Sequence, residues 1–170
     1  DRHVMAGNAT IGVEILEGLP EVDAVVVPYG GGGLSCGIAS AIRARAPRTK
    51  VFAAEIATAA PLSASLAAGE PVVVPYTPSF VDGIGSPAVF PEMFELARTL
   101  LDGSLVVEPD QAADAVRLLA TRAHVVAEGA GAVPVAAARA GLAGSGRIVA
   151  VVSGGSIDAS KLSAILAGSA

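Results

Sequence analysis

The stretch PYGGGGLSCG, residues 28–37, limits the possible folds more than any other part of this chain. It follows DAVVVP, residues 23–28, a continuous β-branched run of the kind expected of a strand buried on both faces. A helical pattern over residues 34–46 comes after it. Glycine loses more backbone entropy on folding than any other residue, so four in a row need a compensating reason. A strand, a glycine turn and a helix start, in that order, leave free N–H groups at the positive end of a helix dipole. That arrangement suits an anion, above all a phosphate. The competing explanation is a tight strand-to-helix turn or close helix–sheet packing, which a lone glycine pair would favour.

The rest of the chain repeats the alternation. Further strands are expected at residues 50–55 (KVFAAE), 104–107 (SLVV) and 147–152 (RIVAVV), the last being the strongest pattern. Helices are expected at residues 10–19, 61–68, 91–101, 110–123, 128–140 and 158–166. Pro91 at a helix start and Gly103 just past its end follow the usual asymmetry, and Asp110 suits an N-cap. Residues 69–90, rich in Pro, Gly and Ser, read as a long functional loop. Strands alternating with helices predict an α/β three-layer sandwich on a mostly parallel sheet, with residues 1–170 as one domain. Ligands of such sheets bind at the carboxyl ends of the strands, where the tetraglycine turn and a second turn, VSGGSID at residues 152–158, both fall.

Composition narrows the classes. A net charge of −5 argues against a nucleic-acid surface. Hydrophobic residues make up 52% of the chain, yet no unbroken apolar run reaches the roughly 18 residues of a membrane span. The excess instead suggests strands buried on both faces, or a surface covered by another polypeptide. Cys36 is the only cysteine, which removes a disulfide framework and points to a reducing, cytoplasmic setting. No signal-peptide pattern is visible. The glycine loop lacks the Lys and Ser/Thr of a nucleotide P-loop, because Leu34, Ser35 and Cys36 follow Gly33. It also lacks GxGxxG spacing, so a small cofactor phosphate fits it better than a triphosphate or a dinucleotide.

Five motifs occur in an order that resembles one family: VVVPYGGGGL followed by Gly37, AAE at residues 53–55, DG at residues 82–83, AEGAGA at residues 127–132, and VSGGSID. They are similar to the C-terminal part of the pyridoxal-phosphate-dependent serine/threonine dehydratases and serine racemases, fold type II (tryptophan synthase β-like). The opening AGNATIGVEILEGLP adds to the likeness, which covers essentially all 170 residues. The resemblance implies β-elimination of water from L-threonine or L-serine, giving a 2-oxo acid and ammonia, with pyridoxal 5'-phosphate as cofactor. A serine racemase-like isomerase, or an inactive phosphate-binding protein on the same scaffold, are the alternatives. An α/β binding module for a phosphorylated sugar or nucleotide is a further one.

The resemblance also implies roles by position. Gly30, Gly31, Gly32 and Gly33, with the Leu34 amide, would bind the cofactor phosphate. Ser153 would sit at the pyridine nitrogen, and Glu128 near the ring. Gly83 and Ser86 would edge the substrate pocket. A hydroxyl at the ring nitrogen does not enforce a protonated ring as a carboxylate would. The ring is then a weaker electron sink, which suits prompt expulsion of a β-hydroxyl. Ser153 read without the family is a turn residue capping the next helix. Relatives place a divalent cation on a glutamate, a carbonyl four residues on and an acid two beyond. Glu55 and Ala59 match the first two positions, but Pro61 stands at the third, so no metal is expected. Glu55 alternatively makes local hydrogen bonds at a strand end.

Other titratable groups have plain readings. His124 is expected to pack in an apolar helix, His3 to be disordered near the start, and Cys36 to fill buried space. Glu128 alternatively begins its helix, where a carboxylate is favoured.

Pyridoxal-phosphate chemistry needs a lysine as the covalent anchor. The only lysines are Lys50 and Lys161, and neither stands in the family's lysine motif. The resemblance therefore implies a missing N-terminal portion that carries it, about as long again, and a homodimer of the complete protein.

Overall fold

A computed structural model describes residues 1–168. Four strands form one all-parallel sheet: β1 (Ala24–Pro28), β2 (Lys50–Ile56), β3 (Gly103–Val107) and β4 (Ile148–Ala150), in the order β3-β2-β1-β4. The described residues also form seven α-helices: α1 (Arg2–Gly18), α2 (Gly33–Arg45), α3 (Pro61–Ala68), α4 (Pro91–Leu100), α5 (Pro109–Leu118), α6 (Gly129–Arg139) and α7 (Ala159–Ala167).

Alternation along the strands makes two cores. Val25 and Val27 of β1, with Val51 and Ala53 of β2, pack against Ile38 and Ile42 of α2 and Phe94 of α4. Ala24 and Val26, with Ala54 and Ile56, face the other way, onto Val116 of α5 and Val133 of α6. All five β1 residues are buried, as a central parallel strand covered on both faces requires. The result is the expected three-layer α/β sandwich. Helix α1 rests on α2, and only glycines allow the approach. A Cβ on Gly12 would lie 2.8 Å from the Ile38 carbonyl oxygen, and one on Gly37 would lie 2.7 Å from that of Met5.

Several expectations need correction. Helix α1 starts at Arg2 rather than at residue 10, because the Asp1 carboxylate accepts the His3 and Val4 amides and caps it. His3 is therefore helical, not disordered. Helix α5 starts at Pro109, with Glu108 as N-cap, so Asp110 lies in the first turn. The Glu108 amide donates to Gln111 Oε1 at 2.8 Å. This helix stops short of residue 123. One π-helical turn, Leu119–Ala123, follows, and His124 ends it at φ +56°. His124 is exposed and in the left-handed region, not packed in an apolar helix. Strand β4, the strongest pattern in sequence, pairs over three residues only and is half-buried, because β1 is its sole neighbour among the described residues.

Residues 70–90 hold no helix or strand, in line with the expected long loop. Among the described residues no helix is long and apolar enough to cross a membrane. The chain adds β2 and β3 on one side of β1, then returns to place β4 on the other. The carboxyl ends of β1 and β4 thus meet where the strand order reverses, the usual ligand position in open α/β sheets.

Candidate active site

The tetraglycine loop leaves β1 at Tyr29, whose amide donates to the Ala54 carbonyl at 3.0 Å. Ser35, buried in the first turn of α2, donates its hydroxyl back to the Pro28 carbonyl at 2.8 Å. These bonds clamp the loop at both ends. Gly32 is the N-cap of α2 at φ +82°, a conformation that a side chain strains. A Cβ there would also stand 2.9 Å from the Tyr29 hydroxyl. Gly31 and Gly33 differ. Neither has a positive φ, and a Cβ would meet nothing nearer than Phe90 at 3.9 Å for Gly31 and nothing within 4 Å for Gly33. Folding demands glycine at position 32, while positions 31 and 33 leave open space.

That open space is a cavity of about 190 Å³. Its walls are Gly30 to Leu34, Gly83 and Ile84 from the long loop, Glu128 and Ala130 at the start of α6, and Ser153 after β4. Gly30 to Leu34, Gly83, Glu128 and Ser153, distant in sequence, therefore line one cavity. Ile84 and Ala130 were not foreseen. Ile84 follows the DG motif and Ala130 lies within AEGAGA, and that position is their only signal in the sequence. Ser86 lies outside the walls. Its hydroxyl donates to the Ala88 carbonyl at 2.8 Å, in a local turn.

The second glycine turn is glycine for packing. Glu128 joins it to α6: the Glu128 amide donates to the Gly154 carbonyl at 2.9 Å, and Oε2 accepts the Ser156 amide at 3.1 Å. A Cβ on Gly154 would lie 2.6 Å from Glu128 Oε1. Ser153 is exposed and does not cap α7, whose N-cap is Asp158.

Glu55 points elsewhere. Its carboxylate is 1% exposed and caps α3. Oε1 accepts the Leu62 amide at 2.8 Å, and Oε2 accepts the Ser63 amide at 2.7 Å and the Ser104 hydroxyl at 2.6 Å. Burial pushes its carboxyl above the ordinary range, although Ser104 and the two amides pull the other way. Ala59 is buried too, its amide donating to the Ile56 carbonyl at 2.9 Å.

Under the loop, Tyr29 is 2% exposed and its hydroxyl has no partner among the described residues. Burial first, then Cys36 and Glu55, push its ionisation well above that of an ordinary tyrosine. Burial also pushes the Cys36 thiol up to about 11, so the thiol stays protonated at neutral pH and acts as a small apolar filler. Lys50 is exposed at the amino end of β2, and Lys161 lies on α7; neither lines the cavity.

A larger cavity, about 600 Å³, opens at the amino ends of the strands between Glu21, Asp23, Arg45, Arg48 and Arg147. It has no helix N-terminus and no glycine turn, and the sheet rule places ligands at the other end.

The family model described as pyridoxal-phosphate dependent enzyme matches residues 1–154. The L-threonine ammonia-lyase of Thermotoga maritima is 42% identical over 98% of this chain and 42% of its own length. The catabolic L-threonine dehydratase of Escherichia coli K12 is 37% identical over 97% of this chain and 51% of its own. The chain spans about half the length of the curated relatives it matches. Among solved structures, the processed threonine deaminase isoform 2 of Solanum lycopersicum superposes with a TM-score of 0.90 at 34% identity, over 99% of this chain and 51% of that one. Maize serine racemase does so with a TM-score of 0.86 at 31% identity, over 96% of this chain and 54% of that one.

Proposed function

This chain belongs to the family of pyridoxal-phosphate dependent enzymes, and on that premise we propose that it supplies the phosphate-binding side of a lyase for L-threonine or L-serine. The reaction is β-elimination of water, followed by hydrolysis to a 2-oxo acid and ammonia. The observation that carries the reading is the cavity itself. It gathers Gly31 and Gly33, where the fold has no use for glycine, with Gly83, Glu128 and Ser153 at the strand-order reversal.

The residues present fit the cofactor. Pyridoxal phosphate, when bound, withdraws electrons from the substrate α-carbon. The amides of Gly30 to Leu34, at the α2 N-terminus, would hold the phosphate. Open space at Gly31 and Gly33 would let it approach the backbone. Ser153 would offer a hydroxyl to the ring nitrogen, neutral where a carboxylate would enforce a charge. Glu128, held by its bonds to Gly154 and Ser156, would stand near the ring, and Gly83 would edge the substrate side.

The cavity is smaller than the roughly 300–1,000 Å³ of complete ligand sites, which supports a partner portion that closes it and brings the anchoring lysine. That portion is the N-terminal half of the same protein. The complete protein is a cytoplasmic homodimer. Its substrate is a small amino acid and its partners include neither nucleic acid nor membrane. Racemisation of serine is the second reading, favoured by the likeness to maize serine racemase.

The test uses the complete protein with pyridoxal phosphate. Threonine or serine should yield 2-oxobutyrate or pyruvate with ammonia. D-Serine in place of 2-oxo acid would select the racemase. Neither product, in a protein that binds the cofactor, would reject both.

A further inference from the structure

Lys161 is one of two lysines in the chain, and the reading above leaves it unused. Its ammonium lies 3.3 Å from Asp82 Oδ2 and 3.9 Å from Asp158 Oδ2. Asp82 immediately precedes Gly83, a wall of the candidate cavity. The ammonium therefore joins α7 to the irregular loop across 79 positions of sequence.

Helix α7 serves as the post, and it is anchored at Ile165, its one buried residue. Ile165 is fully buried on it, and Arg117 Nε from α5 donates to the Ile165 carbonyl at 2.9 Å. The loop is held differently. Val81 and Ile84, buried on either side of Asp82 and Gly83, anchor it by apolar contact, which is non-directional. A directional tie is supplied by Lys161. Between post and loop lies a small cavity of about 50 Å³, lined by Phe80, Asp82, Glu128, Ser156, Asp158 and Lys161 among others. Glu128 belongs to this cavity and to the larger candidate site alike. Among the described residues, Lys161 is thus the one cation lining this small cavity, with the carboxylates of Asp82, Glu128 and Asp158, and a Cβ on Gly83 would lie only 3.2 Å from Glu128 Oε1. Asp82 and Glu128 line the same small cavity, so loss of the ammonium leaves that lining with carboxylates alone, and like charges repel.

We propose that Lys161 is a positioning residue: through Asp82 it sets the distance between the Gly83 wall and Glu128, and so the width of the substrate side of the cavity. This rests on the reading of the cavity as the active site. The pair is exposed, 42% and 68%, so it adds little to global stability, and its effect is local.

The experiment compares Lys161→Met, Lys161→Arg and Asp82→Asn in the complete protein. Amide hydrogen exchange without substrate is the first readout. The Gly85 amide, which donates to the Asp82 carbonyl at 3.2 Å, should exchange several-fold faster in Lys161→Met and Asp82→Asn. Exchange in β1 and α2 should not change, and Lys161→Arg should restore the wild-type rate. The second readout is kinetic: KM for the amino acid should rise about fivefold in Lys161→Met, a size set by a local ion pair, with cofactor affinity within about twofold because the phosphate loop is untouched. Unchanged exchange at residues 82–85 in both charge-removing variants would overturn the proposal. A protein inactive on both amino acids would defeat the functional reading while leaving the exchange result to decide this one.

Discussion

At the scale of single residues, the tetraglycine loop mixes two kinds of glycine that substitution separates. Gly32 is required by the backbone: at φ +82°, with the Tyr29 hydroxyl 2.9 Å from a would-be Cβ, Gly32→Ala is expected to destabilise by about 1–3 kcal/mol. Gly31 has ordinary φ and its nearest atom is 3.9 Å away. Gly31→Ala should therefore leave the melting temperature close to wild type yet weaken pyridoxal phosphate binding about tenfold or more, the cofactor losing close backbone approach. Melting curves and cofactor titrations on the two variants check both statements. Loss of stability with unchanged affinity for Gly31→Ala would place the phosphate elsewhere.

Glu55 and the α1–α2 contact belong to the scale of elements. Glu55 caps α3 from a neighbouring strand, accepting two of its amides. Glu55→Gln turns an amide NH₂ toward one of those donors and should cost about 1–3 kcal/mol. The pH dependence has a definite sign. Burial raises the folded carboxyl above its unfolded value, so its contribution is present below the ordinary carboxylate range and is lost as pH rises through the folded value. The gap between wild type and Glu55→Gln should therefore narrow as pH rises, as urea denaturation at a series of pH values would show. Between α1 and α2, Gly37→Ala drives a methyl to 2.7 Å from the Met5 carbonyl oxygen, so the helices must part. A loss of about 1–3 kcal/mol is expected from such overpacking. A melting temperature equal to wild type would mean that α1 does not hold this position in solution.

For the whole molecule the issue is completeness. Strand β4 offers one edge to no described neighbour, and Val125, Val126 and Val152 are exposed at 42%, 54% and 37%. Unpaired strand edges with apolar surroundings associate. The 170-residue chain purified alone should therefore self-associate in light scattering and should give no 2-oxo acid from threonine or serine. Supplying the proposed N-terminal portion should restore both a defined assembly and turnover. Robust activity of the isolated chain would force Lys50 or Lys161 into the anchoring role.

Local pattern determined much of this protein. The β-branched run before the glycines, the Pro91 helix start and the Gly-rich turns encode their conformations in neighbouring residues, and α2, α3, α4 and both turns lie within a residue or two of their expected ends. The motifs carrying Gly30 to Gly33, Gly83, Glu128 and Ser153, which line one cavity, are legible in the sequence, and the sheet rule puts both turns at one end. Tertiary structure decided what depends on distant partners. The RIVAVV run pairs over only three residues because strand length is set by the neighbour available, not by apolar content. His124 is exposed because the helix before it ends in a π-turn, which no periodicity marks. Which glycines face open space, and that Glu55 turns under α3, follow from segments brought together by the fold. Long-range burial and pairing have no local signature, and that is why they became visible only in three dimensions.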